Sequence, residues 1–339
     1  MTHISSNIEA AASLLKAGEV VAIPTETVYG LGADATNDAA VAKIFEAKGR
    51  PSDNPLIVHI ADLKQLHPIA GSVPKKAEQL MDVFWPGALT IILPKGEGLS
   101  DKVTAGLSTV GIRMPDHPIA RNIILEAGLP IAAPSANTSG RPSPTSAAHV
   151  WDDLQGKIPL IVDGGPTGIG VESTVIDCSV QSPVILRPGG ITQEEIEAVI
   201  GKVQMDAGLL EQSQKPRSPG MKYSHYAPIA PLRIIEGSPA FFKEQIQSAK
   251  ERGLKVGVLG IHEKQSDYEG ADIILTCGPN PRLQDVAQKL YANLRKFDEY
   301  SLDVILSESF PREGLGQAIM NRLEKAAGHQ VIKEDGNTK

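Results

Sequence analysis

The sequence predicts an α/β protein in two parts: a larger one built on a mixed sheet and a smaller one built on a parallel sheet. Two patterns carry that prediction. Short apolar runs alternate with amphipathic helical stretches along nearly the whole chain, as expected of layered α/β structure. The runs at 160–162, 173–176 and 184–186 follow one another with short gaps, as in antiparallel or mixed sheets, whereas after 230 strand and helix alternate in the Rossmann-like manner. A chain of 339 residues is also long enough for two cores.

The composition, with 41% hydrophobic and 22% charged residues, is that of an ordinary globular protein. A net charge of -7 argues against nucleic-acid binding over the whole surface, and an aromatic content of 4% argues against base-stacking platforms. Cys178 and Cys277 match no metal or redox spacing. No apolar run approaches the roughly 20 residues of a membrane span, and the N-terminus lacks the basic and apolar regions of a signal peptide. A reduced, cytoplasmic setting without membrane contact is expected.

Taken in order, Ser5 or Ser6 caps a first helix ending near Gly18. Residues 20–23 form a buried strand that breaks at Pro24, and 25–32 read as a polar turn with two glycines, Gly30 and Gly32. Asn37 caps a helix over 38–47, and the strand 56–60 follows. Pro74 opens a helix to about Phe84, then come strand 89–93, the short strand 110–115 with Arg113, and a helix over 118–127. Strand 131–133 runs into the polar loop 134–144, interrupted by Pro134, Pro142 and Pro144. A helix over 192–200 closes a first domain, 1–203, and 204–229 reads as a linker. The second domain, 230–339, has strands at 232–235, 255–259, 273–275 and 304–306, helices between them, and a frayed tail from Lys333.

The chemistry collects on loops at strand ends. Lys48-Gly49-Arg50-Pro51-Ser52-Asp53-Asn54-Pro55 cannot be helical throughout, so its two cations are expected on an irregular loop suited to anions. From the residues alone, a solvated turn with two surface cations is the default reading of that stretch. Thr25 and Thr27, Arg113, Ser135 and Asn137, and Arg187 occupy other strand ends, which is where open α/β sheets bind ligands. These cations and hydroxyls suit a ligand carrying phosphate and carboxylate groups. No nucleophile elbow, Walker A loop or GxGxxG turn is present, so neither a covalent triad nor a standard nucleotide cradle is expected. The linker stretch Tyr223-Ser224-His225-Tyr226 is unusually aromatic for a connector.

Together, Ile23-Pro24-Thr25-Glu26-Thr27-Val28-Tyr29-Gly30-Leu31, Lys48-Gly49-Arg50, Ser135-Ala136-Asn137 and Arg187-Pro188-Gly189 resemble the YrdC-like domain of threonylcarbamoyl-AMP synthases. The linker and terminal domain resemble the long, two-domain form. The resemblance implies a twisted, largely mixed or antiparallel open sheet plus a small Rossmann-like three-layer domain. It implies a nucleotidyltransferase that makes L-threonylcarbamoyladenylate and pyrophosphate from L-threonine, bicarbonate and ATP, with Mg²⁺ expected on the phosphates. The product would pass to a threonylcarbamoyl transferase complex that modifies the adenosine beside the anticodon of tRNAs reading codons that begin with A. Direct tRNA contact is left open.

Carried over by position, Thr27, His59, Arg113, Ala133 and Ser173 would contact threonine. Arg50, Asn54, Thr109, Ser135, Ser143 and Arg187 would contact ATP, with Tyr226 closing over the nucleotide as part of a lid. Lys48 would face phosphate or bicarbonate, and Asn137 would order its own loop. Lys48, Arg50, Ser135 and Asn137 would be the catalytic group. The alternative is an RNA-binding translation or ribosome-maturation factor without catalysis, against which stand the acidic net charge and the scarcity of aromatic residues.

Overall fold

The computed structural model describes residues 1–206, 226–261, 266–278 and 282–334. The chain divides into two compact units, one of Met1–Ser139 with Ser143–Tyr223, the other of Gly140–Pro142 with Ser224–Lys339.

The first unit is built on an eleven-stranded mixed sheet. In chain order its strands are β1 (His3–Ser5), β2 (Val21–Ile23), β3 (Gly30–Asp34), β4 (Ile57–His59), β5 (Leu89–Pro94), β6 (Thr109–Arg113), β7 (Ile131–Ala132), β8 (Leu160–Val162), β9 (Thr174–Asp177), β10 (Val184–Arg187) and β11 (Gln204–Met205). They lie side by side as β1-β8-β2-β3-β7-β4-β6-β5-β9-β10-β11. Pairings such as β4 with β6 and β5 with β9 are parallel, while β2 with β3, β4 with β7 and β5 with β6 are antiparallel.

Helices α1 (Ile8–Lys16), α2 (Asp38–Lys48), α3 (Lys75–Phe84), α4 (Asp101–Thr104), α5 (Pro118–Ala127), α6 (Ala147–Leu154) and α7 (Gln193–Ile200) complete the unit. Side chains alternate across each strand. Val21 and Ile23 therefore join Leu15, Ile123 and Ile124 in one core, while Ala22 joins Leu31, Val41, Ile44 and Val58 in another.

The differences from the sequence expectation have physical causes. The residues read as a polar turn at 30–32 begin β3. Its glycines are there for close approach, since a Cβ on Gly32 would lie 2.8 Å from Ile131 Cγ2 on the neighbouring β7. β1 and β11 are short strands at the sheet edges, with exposed or half-buried residues and no apolar alternation to reveal them. The first helix is capped by Asn7, whose side chain accepts from Ala10 N–H, rather than by Ser5 or Ser6. α2 runs one residue further than expected and ends on Lys48, because Gly49 takes the left-handed conformation (φ 61°) that terminates it. Lys48 is thus a helix residue, not a loop residue.

The second unit carries a five-stranded, wholly parallel sheet in the order β14-β13-β15-β12-β16. Its strands are β12 (Leu232–Glu236), β13 (Val256–Gly260), β14 (Ile273–Thr276), β15 (Val304–Glu308) and β16 (Val331–Lys333). Helices α8 (Pro239–Glu251), α9 (Leu283–Phe297) and α10 (Leu315–Ala326) connect them. β16 replaces the start of the expected tail, and Glu334 holds on by donating its N–H to Glu236 O. Residues 335–339 of that tail lie outside the described residues.

One contact fixes how β10 returns past β9. A Cβ on Gly189 would lie 2.3 Å from both Ser173 C and Thr174 N, backbone atoms that cannot swing aside. Gly189→Ala is therefore expected to destabilise the first unit by about 2 kcal/mol or more, seen as a fall of at least about 4 °C in its thermal unfolding midpoint.

Candidate active site

Four groups of polar side chains form the candidate site, all within the first unit. The first gathers around Arg113 at the end of β6. Register pairs Arg113 with His59 on β4. The guanidinium donates from Nε to Gly87 O (3.1 Å) and from Nη1 to Thr27 Oγ1 (2.9 Å), and Nη2 lies 2.5 Å from Glu26 Oε1. Thr27 is fixed in turn by Thr25, whose Oγ1 lies 2.9 Å from Thr27 Oγ1 and donates to Val28 O. Arg113 and Thr27 are both buried.

Burial works against the Glu26 carboxylate, but the charge and hydrogen bond of Arg113, with the backbone of Asp116 and of Glu26 itself, outweigh it and hold its pKa below the ordinary value. His59 is buried at 4% exposure, and its Nδ1 has no hydrogen-bond partner among the described residues. Burial first, and then the charge of Arg113, push its pKa down from 6.5 to about 3, against the pull of Glu26 and of the backbone at Ile57 and Ile131. The imidazole is therefore neutral at physiological pH, and a neutral ring offers one acceptor nitrogen.

The second group is built on Lys48. Its side chain turns inward, at 2% exposure, and donates to Ser135 O (2.5 Å) and Asn137 O (2.6 Å), with Asn137 Oδ1 at 3.4 Å. Ser135 Oγ donates to Asn137 Oδ1 (2.5 Å), and Ser139 N–H donates to Lys48 O. Asp153 on α6 braces the loop from behind by accepting from Thr138 N–H. An ammonium wrapped by carbonyls is a pin for the 135–139 loop, set at the end of a helix and not on the irregular loop expected from the sequence.

The third group joins Arg187, Ser173 and Ser143. Arg187 donates from Nε and Nη2 to Ser173 O (3.2 and 2.9 Å), and Ser173 Oγ lies 2.8 Å from Thr90 Oγ1. Ser143 Oγ donates to Glu172 Oε1 (2.6 Å). The fourth is the stretch after α2, where Arg50 Nη2 lies 3.5 Å from Asn54 O. Asn54 is wholly buried, yet neither polar atom of its amide has a partner among the described residues. Such an amide costs free energy unless a ligand satisfies it. Arg50 also borders a cleft of about 460 Å³ with Phe45, Glu46, Ser52 and Lys102.

Backbone contacts tie these groups together. Ala133 N–H donates to Ile57 O, Ala136 N–H to Tyr29 O, and Tyr29 N–H to Pro144 O, so the 133–145 loop lies along the 27–30 segment. Thr109 stands at the opposite end of β6 from Arg113, about 13 Å away at the usual strand rise, and lines a narrow cleft with Pro55 and Thr90. It is thus remote from the Arg113 group and next to the chain that carries Asn54.

Tyr226 belongs to the second unit. Its ring lies 5.2 Å from that of Tyr291, with the Arg322 guanidinium 5.8 Å from its centroid. Tyr223, Ser224 and His225 of the expected lid lie outside the described residues.

Sequence reasoning passed over Glu26 and Glu172, although each adjoins a flagged hydroxyl residue, Thr27 or Ser173. A carboxylate beside a cation-rich loop was the available signal.

Residues 13–189 match the Sua5_yciO_yrdC family, described as "Telomere recombination", and residues 191–328 match the family described as "Threonylcarbamoyl-AMP synthase, C-terminal domain". The threonylcarbamoyl-AMP synthase of Bacillus subtilis (strain 168) is 62% identical over 327 residues, covering 96% of this chain and 94% of its own. The chain belongs to the threonylcarbamoyl-AMP synthase family. The synthase of Pyrococcus abyssi is 49% identical over 96% of this chain and 95% of its own. A crystal structure of P. abyssi Sua5 complexed with L-threonine superposes with a TM-score of 0.93 at 47% identity, covering 98% of this chain and 99% of that one. The family thus accounts for both units, the large mixed sheet and the smaller parallel one.

His59 yields a prediction about acid stability. Because its folded-state pKa lies below 6.5, the unfolded chain takes up the proton first, so the stability at stake is intact above about pH 6.5 and drains away as pH falls toward 3. The melting temperature of the wild type is expected to drop more between about pH 8 and pH 5 than that of His59→Asn, as read by calorimetry at both values.

Proposed function

We propose that the Arg113, Lys48, Arg187 and Asn54 groups together form the site at which this chain, a threonylcarbamoyl-AMP synthase, joins L-threonine, bicarbonate and ATP into L-threonylcarbamoyladenylate and pyrophosphate. The single observation that carries the site reading is the Arg113 arrangement. Each of its terminal nitrogens keeps a second hydrogen beyond the contacts to Thr27 and Glu26, a fork suited to a carboxylate. The neutral imidazole of His59 beside it suits a donor such as an amine or hydroxyl. An amino acid has both kinds of group, and in a relative crystallised with L-threonine that amino acid is the ligand.

Arg113, Thr27 and His59 bind threonine in this reading, with Ala133 and Ser173 shaping the space around it. Arg50 and Arg187 meet the triphosphate, and Ser135, Thr109 and Ser143 contact the nucleotide. Asn54 supplies the buried amide that a nucleotide group would satisfy. Threonine's amine attacks the carbon of bicarbonate, a C–N bond forms, and the bicarbonate hydroxyl leaves with an amine proton as water, giving a carbamate. A carbamate oxygen then attacks the α-phosphorus, and the bond to pyrophosphate breaks. Every reactant is anionic, so positioned cations lower the repulsion between them, and no covalent enzyme intermediate is required. Lys48 acts through the loop it pins, presenting Ser135 and Asn137.

Mg²⁺ belongs to the substrate side of this reading. Among the described residues no group of three His, Cys, Asp or Glu side chains could hold a metal ion. A Mg²⁺ ion bound with the triphosphate would offset its negative charge. No helix among the described residues is long and apolar enough to cross a membrane. The adenylate is a mixed anhydride that calls for prompt transfer, in this reading to the complex that threonylcarbamoylates tRNA.

Pyrophosphate release from ATP should require both L-threonine and bicarbonate, and release independent of threonine would end this reading. Lys48→Ala and Arg50→Ala are expected to abolish the signal. Arg113→Lys, which keeps the charge but loses the planar fork, should raise KM for threonine more than about tenfold while shifting KM for ATP far less.

A further inference from the structure

The roles assigned above leave Glu172 without one, although it is a carboxylate at 7% exposure set directly on Ser143. Ser143 is wholly buried, and its Oγ stands 2.6 Å from Glu172 Oε1. An ionised carboxylate only accepts hydrogen bonds, so the hydroxyl hydrogen of Ser143 is committed to Glu172. What Ser143 can still offer is its lone pairs.

Neither partner is placed to swing away. Pro144, next to Ser143, accepts from Tyr29 N–H through its carbonyl, and the Glu172 carbonyl accepts from Gly190 N–H. Gly189 presses on the same stretch, where an added Cβ would stand 2.4 Å from Glu172 O.

A station with this polarity is wrong for a phosphate. The hydroxyl has no hydrogen to give, and the adjacent carboxylate repels a second anion. It suits a neutral group that donates. An adenosine moiety has three: the N6 amine of the base and the 2′- and 3′-hydroxyls of the ribose. We propose that Glu172 is a positioning residue that locks Ser143 as a hydrogen-bond acceptor, so that the pair selects the nucleotide by one donor of its adenosine moiety. This rests on the reading above in which Ser143 contacts the nucleotide. A buried acceptor built for a donor rejects analogues that lack it, because its lone pairs are then left unpaired.

The test compares kcat/KM for ATP, inosine triphosphate, 2′-deoxy-ATP and 3′-deoxy-ATP in the wild type, Glu172→Gln and Ser143→Ala, read by threonine-dependent pyrophosphate release. The wild type is expected to disfavour one analogue by about tenfold or more, and which one it is identifies the donor as the base amine or a ribose hydroxyl. In Glu172→Gln the amide can donate to Ser143 and free its hydrogen, so discrimination against that analogue should fall toward unity, mainly through KM for ATP, with KM for threonine within about twofold of wild type. Ser143→Ala should do the same, and because it deletes a single oxygen it keeps the comparison open where Glu172→Gln unfolds. Equal use of all three analogues by the wild type overturns the inference. So does an equal loss of activity on every nucleotide in the variants, the mark of a merely structural pair. Both of those outcomes leave threonine-dependent activity on ATP in the wild type intact, whereas its absence would overturn the functional reading together with the inference.

Discussion

The guanidinium of Arg113 is the constraint from which the candidate site is built. It reaches the carbonyl of Gly87, the hydroxyl of Thr27 and the carboxylate of Glu26, and so joins the end of β6 to two segments distant in sequence. A buried cation must be compensated, or its desolvation would outweigh the packing around it. Glu26 supplies the opposite charge and the oxygens of Gly87 and Thr27 supply geometry. The same positive charge also helps keep His59 neutral. One side chain thereby sets the electrostatics of its neighbours and leaves donors over for a ligand.

Lys48 follows the same logic with a different outcome. Its ammonium donates to the carbonyl oxygens of Ser135 and Asn137, so the charge and the loop hold each other in place. That loop begins at the end of β7, is braced by Asp153, and carries Ser135 and Asn137. Buried charge and loop conformation are therefore one construction: remove the cation, and the carbonyls of Ser135 and Asn137 lose their donor. A site for several anions gains from this, since the cations are ordered before any ligand arrives.

Carboxylates complete the picture. Glu26 and Glu172 both sit within a residue of a hydroxyl assigned to a substrate, but they act on different partners. Glu26 neutralises an arginine, whereas Glu172 orients a serine. Among so many cations, acidic groups are tolerated where they fix a donor or an acceptor in place, which is also where a composition-based reading overlooks them.

Legible in the sequence were the strand and helix alternation, the two-part organisation of elements, the parallel character of the smaller sheet, and the stock of cations and hydroxyls at strand ends. These are local properties, written in periodicity, in caps such as Asn37 and in breaks such as Pro24. The motif order also pointed to the family. The rest depended on contacts made between distant segments. β3 was hidden because Gly30 and Gly32 serve the approach of a neighbouring strand, and β1, β11 and β16 were hidden because exposed edges need no apolar pattern. The inward turn of Lys48, the pairing of Glu26 with Arg113 and the lock between Glu172 and Ser143 join residues up to 89 positions apart, and no local pattern encodes such distances. Which charge meets which partner is settled only when the sheet brings the loops together.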